Sequence, residues 1–110
     1  MPYDKHLAHR IREVVCTERE LSEKKMFGGL AFLVGGNMAV AAMGQGGLLV
    51  RVDPAASDRL VDTTSATPMV MRGRPIQGWL RLDPKDLRTK RQLTKWVDIG
   101  VTFARSLPEK

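Results

Sequence analysis

Two histidines three positions apart, His6 and His9, and a single cysteine, Cys16, are the first residues of the chain with the means to do chemistry. On a helix, that histidine spacing offers two nitrogen ligands to a metal. A structural zinc site wants four protein ligands and a catalytic one three, and no third histidine exists in the sequence. Cys16 as a nucleophile needs a neighbouring base and a lowered pKa. Placed late in a helix, it is expected instead to be a buried, small packing residue. The carboxylates Glu13, Glu18, Glu20 and Glu23 are mixed with Arg12, Arg19, Lys24 and Lys25. That is the pattern of a solvated, charge-laced surface, not of an acid and a base held in separate environments. No catalytic residue, metal ligand or cofactor is expected, and the chain is read as a non-enzyme. The alternative of a small-molecule enzyme lacks the convergent polar groups it requires.

The stretch "KKMFGGLAFLVGG", residues 24–36, holds four of the ten glycines. A phosphate-binding loop places glycines between a strand and the N-terminus of a helix, whose free N–H groups hold the anion. The Walker A pattern is absent, and the residues that follow read as another strand. Gly28, Gly29, Gly35 and Gly36 are therefore expected to be structural turn positions. Gly28 or Gly29 should sit at positive φ, where the first strand bends into the next.

Charge is concentrated in one place. Residues 72–95 contain Arg72, Arg74, Arg81, Lys85, Arg88, Lys90, Arg91 and Lys95 against only Asp83 and Asp86, so this segment carries the whole net charge of +6. Such an excess attracts phosphates or an acidic protein. Within it, "RGRP" reads as a strand connection with Arg72 and Arg74 projecting from its tip. Arginine's planar fork suits phosphate or carboxylate. Arg72, Arg74, Lys85, Arg88, Lys90, Arg91 and Lys95 are the candidate residues for contacting nucleic acid or an acidic partner, and they are expected to form one patch if the turn and the last helix start at the same end of the sheet.

One hundred and ten residues with 43% hydrophobic and 27% charged content suit one soluble domain with a modest core. The lone cysteine excludes an internal disulfide, and no apolar run is long enough to span a bilayer. The charged N-terminus lacks the apolar core of a signal peptide. A cytoplasmic location without membrane contact is the expectation.

The periodicities position these residues. Leu7, Ile11, Val14 and Val15 make one apolar stripe of a first helix that Asp4 can cap and that fades over 17–20. Strand-length runs follow at 25–27, 30–34, 38–43 and 48–52, with links too short for anything but antiparallel neighbours. Phe32 with Val34, the set Met38, Val40 and Ala42, and the set Leu48, Val50 and Val52 should each share a face, with Arg51 pointing away. Met26, Met38, Met43, Met69 and Met71 are expected to fill core gaps. Asp53-Pro54 opens a short helix, two strands flank "RGRP", and Asp83-Pro84 opens another turn. Thr89 and Gln92 fit a capping box for a last helix whose stripe runs Leu93, Trp96, Val97, Gly100, Val101, Ala104 and Leu107. The order α-β-β-β-β-α-β-β-α argues for an α+β fold, an antiparallel meander with helices on one face.

In that order, "KKMFGGLAFLVGGNMAVAA", "GGLLVRVDPAA", "PMVMRGRPIQGWLRLDPKDL" and the last helix through "FARSLPEK" resemble the TfoX N-terminal domain family. The resemblance covers nearly the whole chain. It implies a single domain over 1–110, an α+β fold, and a link to the TfoX/Sxy regulators of competence for DNA transformation. Those regulators resemble two-domain proteins, and this chain is expected to lack the C-terminal domain. The family brings no catalytic residues.

Two functions follow for a small regulatory or binding module. One is nucleic-acid contact through the phosphates. The other is protein binding, including homodimerisation. Leu80 and Leu82 should face the helices, which turns Trp79 and Arg81 outward as candidate dimer-interface residues.

Overall fold

The computed structural model of the chain describes residues 4–26, 28–44 and 46–108. Phe27, expected in the first strand, and Gln45, expected in a strand link, lie outside the described residues, as does the side chain of Met71. The first helix, α1 (Lys5–Val15), starts at Asp4, whose carboxylate accepts the N–H groups of His6 and Leu7. Four strands follow: β1 (Leu21–Met26), β2 (Gly29–Val34), β3 (Asn37–Ala42) and β4 (Leu48–Arg51). Helix α2 (Pro54–Thr63) crosses to the hairpin of β5 (Thr67–Met71) and β6 (Arg74–Leu82). A 3-10 helix (Pro84–Leu87) leads into α3 (Lys90–Ser106). All pairings are antiparallel, in the order β1-β2-β3-β4-β6-β5. The fold is α+β in the expected element order.

The three helices pack on one face of the sheet. Ile11 and Val15 of α1 and Leu93, Trp96 and Val97 of α3 meet Phe32, Val40, Val50 and Leu80 in one core, with Leu60 and Val61 of α2 at its margin. Burial of such side chains contributes about 1.5–3 kcal/mol each. The capping box of α3 is complete: the Gln92 N–H donates to Thr89 Oγ1, and the Thr89 N–H donates to Gln92 Oε1. Gly100 lets α3 lie against β3, since a Cβ there would strike the Ala39 carbonyl oxygen.

Three expectations need correction. The first strand spans 21–26, not 25–27. Glu20, at φ 59°, turns the chain, and Leu21 comes opposite Val34. Ser22, Glu23, Lys24 and Lys25 are all exposed on this outermost strand, so no apolar alternation marks it. Met38 does not share a face with Val40 and Ala42. The register shifts between Phe32 and Leu33, with Phe32 opposite Val40 and Leu33 opposite Met38. The extra residue, Ala39, reverses the alternation, as a bulge does. The methionines do fill a core, as expected, but not the helix-covered one. Met26, Met38, Met43 and Met69 gather on the opposite sheet face, over a floor of Ala31, Ala41 and Leu49. Cys16 is exposed, because the helix ends at Val15 and the thiol turns back to the Glu13 carbonyl at 3.2 Å.

The glycines form corners. Gly35 and Gly36, at φ 59° and 82°, are the two central residues of the β2–β3 hairpin. Gly28 has φ 75°. Gly29 is buried in β2, and a Cβ there would collide with the Ala42 carbonyl oxygen of β3. Gly28→Ala should cost about 1 kcal/mol of backbone strain, whereas Gly29→Ala should cost roughly 1–3 kcal/mol by forcing β2 from β3. Urea midpoints of the two variants check the order.

Arg12 of α1 ties the helix to β1 through two 2.8 Å hydrogen bonds to the Glu23 carboxylate. The Arg12 hydrogen bonds, helped by its charge and opposed by partial burial, hold the Glu23 pKa below its ordinary value near 4.5. A carboxylate whose pKa is depressed by folding stabilises the protein above its unfolded pKa and loses that contribution as the pH falls through the folded value. Both side chains are substantially exposed, so Glu23→Gln should cost only about 0.5 kcal/mol at pH 7. Denaturation curves of variant and wild type should converge as the pH drops below 4.5.

Candidate functional site

The strongest positive feature is a corner where β6 ends, the 3-10 helix turns and α3 begins. Pro84 starts the 3-10 helix and Leu87 anchors it in the core. Thr89 then caps α3, so Lys90, Arg91 and Lys95 leave from the first turns on the side away from Leu93, Trp96 and Val97. Lys85, Arg88, Lys90, Arg91 and Lys95 are all exposed. Lys95 lies with its Nζ 5.3 Å from the Trp96 ring centroid. The positive end of the α3 dipole adds to the same field.

Arg10, which sequence reasoning missed, completes the corner. Its Nη2 donates to the Leu87 carbonyl at 2.6 Å and lies 3.4 Å from the carbonyl oxygens of Arg88 and Thr89. A cleft of about 230 Å³ opens between the elements, lined by Arg10, Glu13, Val14, Arg88, Lys90 and Leu93. Glu13 is engaged by His9, whose Nε2 stands 3.0 Å from Oε1. The other ion pairs, Arg12–Glu23 and Arg105–Glu18, lie elsewhere. Among the described residues, none of Lys85, Arg88, Lys90, Arg91 and Lys95 forms an ion pair.

Arg72 and Arg74 are not part of this corner. Arg74 opens β6 and Arg72 lies in the turn before it, eight and ten residues from Leu82 at the end of the strand, a separation of roughly 25 Å or more along an extended strand. The basic segment is therefore divided between the two ends of β6. The "RGRP" connection is also shorter than expected, since Arg74 and Pro75 belong to β6 and only Arg72 and Gly73 form the turn. Both have positive φ, 53° and 77°, the pattern of a two-residue type I′ turn. Arg81 and Trp79 lie on the helix-free face, opposite Leu49 and Arg51. The Arg51 guanidinium carbon stands 5.2 Å from the Trp79 ring centroid and 5.5 Å from that of Phe103.

A groove of about 530 Å³ runs between α2 and α3 over Val52, Ala56, Leu60, Ile99 and Phe103. Asp53 on its rim is occupied with the Ala55 N–H at 2.9 Å as the α2 cap. Among the described residues, no three His, Cys, Asp or Glu side chains cluster as metal ligands, and no helix is long and apolar enough to cross a membrane.

A family profile described as the TfoX N-terminal domain matches residues 15–104, which include the sheet, the 3-10 helix and nearly all of α3. The chain belongs to the TfoX N-terminal domain family. No curated protein matches it. The TfoX N-terminal domain is not a known enzyme family. The matched span takes in the cationic residues of the corner but leaves Arg10 outside.

Arginine is a costly choice for the first position of a type I′ turn, which favours Asn, Asp or Gly. Arg72→Asn should stabilise the domain by about 0.5–1 kcal/mol through relieved backbone strain. A higher denaturant midpoint checks this; a lower one would show that the Arg72 side chain contributes contacts that outweigh the strain.

Proposed function

We propose that this TfoX-type domain is a non-catalytic regulatory module that contacts nucleic acid through phosphate oxygens, using the corner between the 3-10 helix and α3. One observation carries the reading: among the described residues, Lys85, Arg88, Lys90, Arg91 and Lys95 are exposed and form no ion pair, while Glu13 at the cleft lies against His9, and Glu18 and Glu23 pair with Arg105 and Arg12 away from the corner. Unpaired cations at a protein surface gain most from displacing counterions of a polyanion. Arg10 fixes the backbone of 87–89 and so positions Arg88 and the α3 start. Trp96 is buried and Trp79 lies on the open sheet face, so base stacking is not the basis of recognition at the corner. Contacts of this kind carry affinity without sequence preference. The reading agrees with the regulatory, transformation-linked role that resemblance to TfoX/Sxy proteins implies.

Binding to duplex DNA, single-stranded DNA and RNA, titrated with salt, is the test. Duplex affinity should fall with a slope of about −0.9 per neutralised phosphate. Lys90→Ala combined with Arg91→Ala should flatten that slope by up to about 2 units and weaken all sequences alike. Stability should stay within about 0.5 kcal/mol of wild type. Arg72→Ala with Arg74→Ala, at the other end of β6, should leave the slope nearly unchanged. Absence of salt-dependent binding at low ionic strength would overturn the proposal.

A further inference from the structure

The helix-free sheet face has its own apolar cluster and its own charge. Ala31, Met38, Ala41 and Leu49 form a buried floor. Half-buried Leu33, Met43, Met69 and Trp79 stand around it. Among the described residues no helix covers this face, since α1, α2 and α3 all pack into the core on the other side. Four of the chain's six methionines belong to this face. Flexible, polarisable thioethers adapt to varied apolar partners.

Strand alternation gives the face a single sign of charge. Lys24 lies opposite Ala31 and Arg81 opposite Leu49, while Arg51 lies at the margin of the face, with its guanidinium between the rings of Trp79 and the α3 residue Phe103. Glu23 is the sole acidic residue within the six strands, and it lies opposite Phe32 on the helix side, held by Arg12. Among the described residues, the side chains of Lys24 and Arg81 form neither an ion pair nor a hydrogen bond. Two such faces pressed together would set cation against cation, which disfavours a second copy as occupant. A continuous apolar floor offers nothing to a phosphate backbone.

We propose that this face docks a net-acidic amphipathic segment of a partner protein, with apolar side chains on the methionine-walled floor and carboxylates reaching Lys24 and Arg81. Trp79 serves as the aromatic anchor, held in place by the Arg51 guanidinium. The surface is separate from the cationic corner, and the proposal does not rest on nucleic-acid binding.

The test uses two synthetic peptides with the same leucine pattern, one flanked by glutamates and the other by lysines. Fluorescence anisotropy of labelled peptide with the full chain reads affinity, and acrylamide quenching with unlabelled peptide reads tryptophan exposure. The acidic peptide should bind about ten-fold more tightly than the basic one. It should protect tryptophan from quenching, and Trp79→Phe should lose that protection because Trp96 is already buried. Lys24→Glu with Arg81→Glu should reverse the preference without changing the circular dichroism melt. Met43→Ser, at a half-buried wall position, should weaken both peptides. Equal affinity for the two peptides, or no binding at about millimolar concentration, would overturn the proposal. So would displacement of the acidic peptide by duplex DNA from a corner-intact protein carrying Lys24→Glu and Arg81→Glu. A wild-type dimer in sedimentation that Trp79→Ala dissociates would assign the face to a second copy instead.

Discussion

The close approach of α3 to the bulge in β3 sets the rest of the molecule. At Gly100 the helix backbone rests against the Ala39 carbonyl, with Val40 alongside. The bulge turns both Ala39 and Val40 towards the helices and sends Met38 to the other face. A side chain at position 100 would lift the helix away, and Leu93, Trp96 and Val97 would lose their places among the strands. The same approach fixes where each end of α3 lies. Its N-terminus joins the 3-10 helix at the cationic corner. Its C-terminal extension reaches β3, where the buried Asn37 side chain donates to the Pro108 carbonyl at 2.9 Å.

Charge is sorted over this frame. Arg12 with Glu23 and Arg105 with Glu18 bind α1, β1 and α3 together at one side. The Arg105 Nη2 also donates to the Arg19 carbonyl at 3.0 Å. These cations are engaged in structure. Those of the 3-10 helix and α3 start are exposed, and on the open sheet face Lys24 is exposed and Arg81 half-buried, all of them without an ion pair among the described residues. One surface is polar and cationic with the buried Leu87 beneath it. The other is apolar with cations around it. The physical difference between them is why the partners proposed for them differ in class, a polyanion for the first and an acidic amphipathic segment for the second.

Much of this was legible in the sequence. The α3 stripe and its Thr89–Gln92 box carry strong local signals, and Asp53-Pro54 marks a helix start by cap chemistry alone. The glycine corners also follow from local conformation. What was hidden depended on tertiary pairing. An edge strand whose exposed residues are all polar shows no alternation, so the start of β1 was lost. A bulge leaves no composition signature, so alternation alone places Met38 on the face of Val40 and Ala42. The candidate corner was legible as charge but not as shape. Only the length of β6 separates Arg72 and Arg74 from Lys85 to Lys95, and only the packing of α1 brings Arg10 to the carbonyls of 87–89, far away in sequence.

The two outermost strands have a consequence for the behaviour of the protein in a crowded solution. An unpaired strand edge is a template on which another chain can grow, and repeated growth yields aggregates. Along β1, any incoming strand must strip water from Glu23, Lys24 and Lys25. Along β5, Pro68 has no N–H to offer, and the ladder shifts immediately after it. Growth is thus opposed at both borders by different means, one electrostatic and one covalent. A sheet so terminated can leave a methionine-lined face open without inviting polymerisation along its edges.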